Sequence, residues 1–171
     1  MRTAKTKLQS NLHERALAYL ARRDHTALEL KRKLLRLASG QENAPGDETK
    51  EAERQAEVDA LIADFEKRGW LNEARYAEQV ANAKRAKLGS LRIAHDLREK
   101  GVSEQLVMQT LAELQGDELT HAVEVHRKKY KSLPASREEW AKQARFLQSR
   151  GFGFDVIKQV LNRPNIDLDD Q

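Results

Sequence analysis

The feature that most constrains this chain is a repeat of about fifty residues. Leu97-x-x-x-Gly101 returns as Leu147-x-x-x-Gly151, fifty positions on. Val58-x-x-Leu61-Ile62, Val107-x-x-Thr110-Leu111 and Ile157-x-x-Val160-Leu161 follow one another at shifts of 49 and 50. A unit of that size cannot bury its apolar face alone, so tandem copies must stack and share a core. Strong helix formers dominate the 171 residues, with only eight Gly, three Pro and no β-branched runs, which sets the class as all-α. The reading is three tandem three-helix repeats; its rival is one irregular bundle of nine helices.

Local signals place the helices. Leu12, Ala16, Leu17 and Leu20 stand at helical spacing, and Thr26-Ala-Leu-Glu29 is a capping box ahead of Leu30, Leu34 and Leu37. Residues 38–53 are polar, hold Pro45-Gly46 and read as a loop insertion. Gly69, Gly101 and Gly151 each close a helix, and Ser136-Arg-Glu-Glu139 is a second capping box. The expected divisions are a basic N-terminal tail (1–11), repeat 1 (12–69, with the insertion), repeat 2 (70–115), repeat 3 (116–163) and an acidic tail (164–171). Trp70 and Phe152 each follow a Gly at junctions read as equivalent; both read first as core or junction residues, with partial exposure as the alternative.

Charge divides along the same lines. The formal total is only +4, but residues 1–37, 38–73, 74–100, 101–119, 120–150 and 151–171 carry +7, −6, +4, −4, +5 and −2. The first two helices of every repeat are basic and the third is acidic. Stacking such units predicts a basic face that invites a phosphate backbone or an acidic protein surface; dense mixed charge that merely solubilises helices is the plainer alternative. The candidate binding residues are Arg22, Arg23, His25, Lys31, Arg32, Lys33, Arg75, Lys84, Arg85, Lys87, Arg92, Arg127, Lys128 and Lys129. Of these, His25 fits a structural role in the joint between two helices better than a partner contact.

Other chemistry is absent from the sequence. There is no cysteine, hence no disulfide, thiol nucleophile or Cys-ligated metal. No GxxxxGK[ST] loop, strand-borne GxGxxG or HExxH occurs. His121 and His126 lie five apart, on different helix faces. Glu138-Glu139 sits in a helix first turn, where acids are favoured electrostatically. The expectation is therefore a non-enzyme with no cofactor and no metal. No apolar run approaches the roughly 20 residues that span a bilayer, and none follows the basic Met1-Arg-Thr-Ala-Lys-Thr-Lys stretch, so a cytoplasmic protein is expected.

The residues also resemble a known family. Arg15-Ala-Leu-Ala-Tyr-Leu20 followed by Arg23-Asp24-His25-Thr26-x-x-Glu29-Leu30-x-x-Lys33-Leu34 is similar to the opening signature of the RecX regulatory proteins. Gly69-Trp70-Leu71-Asn72-Glu73-x-Arg75-Tyr76-Ala77, the stretch from Gly89 through Arg92-Ile93 and Leu97 to Lys100-Gly101-Val102-Ser103, and Arg145-Phe146-Leu147 with Arg150-Gly151-Phe152 continue the resemblance in order. It implies an elongated, curved, monomeric array of three-helix repeats. It also implies a bacterial modulator that binds the RecA recombinase and its nucleoprotein filament. Such a modulator suppresses filament growth, ATP hydrolysis, strand exchange and coprotease activity in DNA repair and the SOS response, with weak direct DNA binding as a possible addition. A helix-turn-helix-like module acting directly on DNA or RNA is the alternative.

Overall fold

The computed structural model describes residues 2–39 and 48–162. Among them the chain is all-α: α1 (Arg2–Leu20), α2 (Ala27–Ser39), α3 (Glu48–Lys67), α4 (Glu73–Lys84), α5 (Ser90–Glu99), α6 (Glu104–Leu114), α7 (Glu118–Lys129), α8 (Arg137–Ser149) and α9 (Phe154–Leu161). Two expectations change. The stretch read as a basic tail is helical from Arg2, and the insertion read over 38–53 is helical from Glu48. Both stretches lack apolar periodicity, but Ala, Lys, Glu and Gln favour the helix without it. The middle of the insertion, 40–47, and the acidic tail from 163 lie outside the described residues.

The chain forms two compact units. Unit 1 comprises Met1–Tyr76 with Lys100–Val102; unit 2 comprises Ala77–Glu99 with Ser103–Gln171. In unit 1, α1, α2 and α3 pack on one another around Leu12, Ala16, Leu30, Leu34, Val58, Ile62 and Phe65. In unit 2, α5 packs on α6, while α7, α8 and α9 pack together around Ala122, Val125, Leu147, Phe152, Ile157 and Val160.

The fifty-residue register reappears in burial. Ala94, Leu97, Val102 and Val107 are buried, and so are Ala144, Leu147, Phe152 and Ile157, each fifty further on. Gly101 and Gly151 share a left-handed backbone, φ +79° and +86°. Gly69 is also left-handed at +70°, but it follows α3, the third helix of its repeat, whereas Gly101 and Gly151 lie between second and third helices. The junctions of Trp70 and Phe152 are therefore not equivalent. Trp70 is 38% exposed, the alternative weighed for it, while Phe152 is 2% exposed and belongs to the core, as its first reading had it.

One packing device occurs in both units. In unit 2 the turn closing α8 sits on the first turn of α5. Gly89 N–H donates to the Arg150 carbonyl (2.9 Å) and Leu91 N–H to the Gly151 carbonyl (3.1 Å). Donors left orphaned at one helix start thereby satisfy carbonyls orphaned at another helix end. A Cβ on Gly151 would lie 2.3 Å from Arg92 Cβ and 2.5 Å from Arg92 N, so only glycine fits. In unit 1 the turn Lys100–Val102 sits on the start of α2. The Thr26 hydroxyl donates to the Lys100 carbonyl (2.5 Å), and Gly101 lies against Leu28.

Candidate partner-binding surface

The joint before α2 is the most densely built charged site. Thr26 is its N-cap: Glu29 N–H donates to Thr26 Oγ1 at 3.1 Å. The Glu29 carboxylate does not turn back to complete the capping box. It takes two N–H groups of Arg23, at 2.5 and 3.1 Å, with Lys33 Nζ at 3.7 Å and Lys100 Nζ at 3.6 Å. Burial alone pushes this carboxyl up, but the hydrogen bonds and charge of Arg23, aided by Lys100, hold it below the ordinary range. Asp24 pairs with Arg75, which donates through Nε at 2.8 Å and through a second guanidinium N–H.

His25, 2% exposed, is wired into the same joint. Its Nδ1 lies 2.9 Å from the Arg23 carbonyl and its Nε2 lies 2.8 Å from Lys33 Nζ. A carbonyl only accepts and an ammonium only donates, so the ring is the neutral Nδ1–H tautomer. Burial lowers its affinity for a proton, and nearby Arg23 and Lys33 add to the effect against the Arg23 carbonyl hydrogen bond. Its place is inside the joint between α1 and α2.

Other candidate cations are also engaged. Lys31 meets Asp59 at 2.6 Å. Lys84 meets Asp96 at 2.5 Å, and Arg92 reaches the same carboxylate at 3.4 Å. Arg85 lies 3.9 Å from Asp117. Arg22, Arg32, Lys87, Arg127, Lys128 and Lys129 are exposed, and Lys87 and the α7 triplet make no ion pair among the described residues. The triplet ends α7, where its charge meets the negative end of the helix dipole. His95, Asp96 and Glu99 bring three possible metal donors within 4.8 Å, but Asp96 is already held by Lys84 and Arg92.

Comparison with known proteins identifies this architecture. The profile of the RecX second three-helix domain matches residues 72–111, and that of the third matches 116–161. The regulatory protein RecX of Leptothrix cholodnii is 39% identical over 158 residues, 92% of each chain. The chain belongs to the RecX family. RecX of Ralstonia nicotianae is 33% identical over 94% of this chain and 92% of its own, and that of Chromobacterium violaceum 36% over 88% and 89%. The crystal structure of RecX from Lactobacillus salivarius shares the fold, with a TM-score of 0.68 at 20% identity over 91% of this chain and 95% of that one. A second RecX crystal structure gives 0.71 at 19% identity over 94% and 76%.

Within this RecX chain the acids Asp24, Glu29, Asp59 and Asp96 organise the site as much as the cations do. Sequence reasoning missed them because it summed charge by segment. Asp24 and Glu29 sit inside the most basic segment, where their sign is submerged. Among the described residues no helix is long and apolar enough to cross a membrane.

Proposed function

We propose that this chain is a non-enzymatic, cytoplasmic regulator of the RecA recombinase. It binds the recombinase and its DNA filament as a monomer and restrains filament extension. ATP hydrolysis, strand exchange and coprotease activity in DNA repair and the SOS response fall with it. The observation that carries this reading is the 39% identity to a regulatory protein RecX over 92% of both chains. The site supports it physically: clustered ionisable groups pair with opposite charges, while the Arg127-Lys128-Lys129 triplet and Lys87 stay exposed for an anionic partner. Several weak contacts on one chain of repeats add through effective concentration.

The test is to add purified protein, below one per recombinase protomer, to RecA on single-stranded DNA. ATPase rate and filament length should both fall; no effect at equimolar protein refutes the proposal. Direct action on nucleic acid would instead show as binding to naked DNA, with a log–log salt slope of about −0.9 per phosphate neutralised on duplex.

A further inference from the structure

Unit 2 carries a groove of about 410 Å³ lined by Leu91, Arg92, His95, Phe152, Phe154 and Ile157, among others. Phe152 and Ile157 are core residues at its floor, each 2% exposed, whereas Leu91 and Phe154 on its lining are both 58% exposed. The repeat does not require these exposed apolar groups. In the register that superimposes Gly101 on Gly151, Glu104 stands where Phe154 does. The approach of Gly101 to Leu28 and of Gly151 to Arg92 likewise puts Ala27 in the place of Leu91. The two large apolar groups at 91 and 154 are thus particular to this copy of the turn, the corresponding positions holding Ala27 in unit 1 and Glu104 in unit 2.

The ionisable groups on the lining are basic, with carboxylates standing beside them on α5. Among the described residues the ionisable groups on the lining are Arg92 and His95, and Lys158 Nζ lies 4.5 Å from the centre of the Phe154 ring. Asp96, beside them on α5, takes Lys84 at 2.5 Å and lies farther from Arg92 and His95, at 3.4 and 3.9 Å, so an incoming carboxylate would share these two groups with it. We propose that this groove receives a segment of a partner protein in which a large apolar side chain sits beside a carboxylate. The apolar group would settle between Leu91 and Phe154, and the carboxylate would accept from Arg92 and His95. This rests on the regulatory reading above, with the recombinase filament as the protein that supplies the segment.

The chain has no cysteine, so single reporters can be placed without background. A benzophenone photocrosslinker on Leu91→Cys should capture RecA from the filament, while the same group on Met108→Cys, at an equally exposed residue, should not. In the ATPase assay His95→Lys should lower the half-inhibiting concentration and His95→Glu should raise it, each about threefold. Leu91→Ser should raise it about tenfold by removing apolar contact. Capture confined to the chain's own residues, or to a second copy, overturns the choice of partner. Equal capture from both positions, or unmoved inhibition by the His95 pair, overturns the site while leaving the regulatory reading intact. Wild-type protein that does not inhibit at all overturns both.

Discussion

Three left-handed glycines provide a graded test of the joint between repeats. At Gly69 a Cβ meets nothing within 4 Å, so Gly69→Ala incurs only the left-handed penalty of about 1–2 kcal/mol, part of which is offset by a stiffer unfolded chain. At Gly101 a Cβ would stand 2.7 Å from Leu28 Cδ2 and 2.8 Å from Leu28 Cβ; the methyl can swing away but the Cβ is fixed to α2, adding about 1 kcal/mol. At Gly151 the obstacles are Arg92 Cβ, N and Cα, at 2.3, 2.5 and 2.9 Å. Backbone cannot rotate aside, so the turn must lift and strain the two hydrogen bonds that seat it. Overpacking and those bonds bring the total to about 4 kcal/mol. The two tryptophans make the assay local, because Trp70 lies in unit 1 and Trp140 in unit 2. Urea unfolding is followed by Trp70 in a Trp140→Phe background, and by Trp140 in a Trp70→Phe background. The expected order of destabilisation is Gly69→Ala, Gly101→Ala, Gly151→Ala, with the last confined to the Trp140 signal. Equal losses at all three would show that backbone conformation alone fixes these glycines, and the docking argument would fail.

Four further outcomes follow from the charged sites. Glu29→Gln should destabilise unit 1 by about 2 kcal/mol, because Arg23 and Lys100 lose a buried acceptor charge; urea unfolding read at Trp70 measures it. The Glu29 carboxyl is depressed in the folded state, so its contribution is present above the ordinary carboxylate value of 4.5 and disappears as pH falls through the lower folded value. The His25 proton affinity is also depressed; as pH falls below the unfolded value of 6.5, the unfolded chain takes up a proton that the folded joint resists, and stability declines. His25→Gln should flatten that decline between pH 7 and the lower folded value, and an unchanged profile would count against the buried neutral ring. Reversing Arg127, Lys128 and Lys129 to Glu should weaken ATPase inhibition without moving the unfolding midpoint, whereas Lys84→Glu should lower the midpoint by setting two carboxylates against each other at Asp96.

Much of this fold was legible because stacking repeats a burial pattern. Leu97 and Leu147, Val107 and Ile157, and Gly101 and Gly151 announce the same helix–turn–helix geometry twice, from spacing alone. The site was legible only in part. His25 and Thr26 could be placed in a joint, because a capping box marks a helix start. That Glu29 abandons the box for Arg23 depends on how the chain bends between α1 and α2, and the approach of Lys100 on a turn some seventy residues away; neither follows from apolar spacing. The Trp70–Phe152 equivalence failed for a related reason: glycine marks a left-handed turn wherever one is needed, and says nothing of which helices it joins.

The alternating charge now has a more specific meaning. Had the basic helices formed one uninterrupted polyanion track, their cations would stand apart from carboxylates. Instead Arg23, Arg75, Lys31, Lys84 and Arg92 each meet one, two of these pairings, Arg75–Asp24 and Lys31–Asp59, joining segments whose charges had been summed separately. Exposed pairs of this kind contribute little stability individually, but they fix which side chains remain available. Among the described residues, Arg22, Lys87 and the Arg127-Lys128-Lys129 triplet are the candidate cations left without an ion pair, and only the triplet gathers three of them on one turn. A polyanion should therefore feel the end of α7 far more strongly than the joint before α2. The comparison is direct: charge reversal at 127–129 should flatten the salt dependence of inhibition, while Arg75→Glu, which meets Asp24 instead of solvent, should leave that slope unchanged. A slope equally sensitive to both would return the joint to the binding face and overturn this division of the cations.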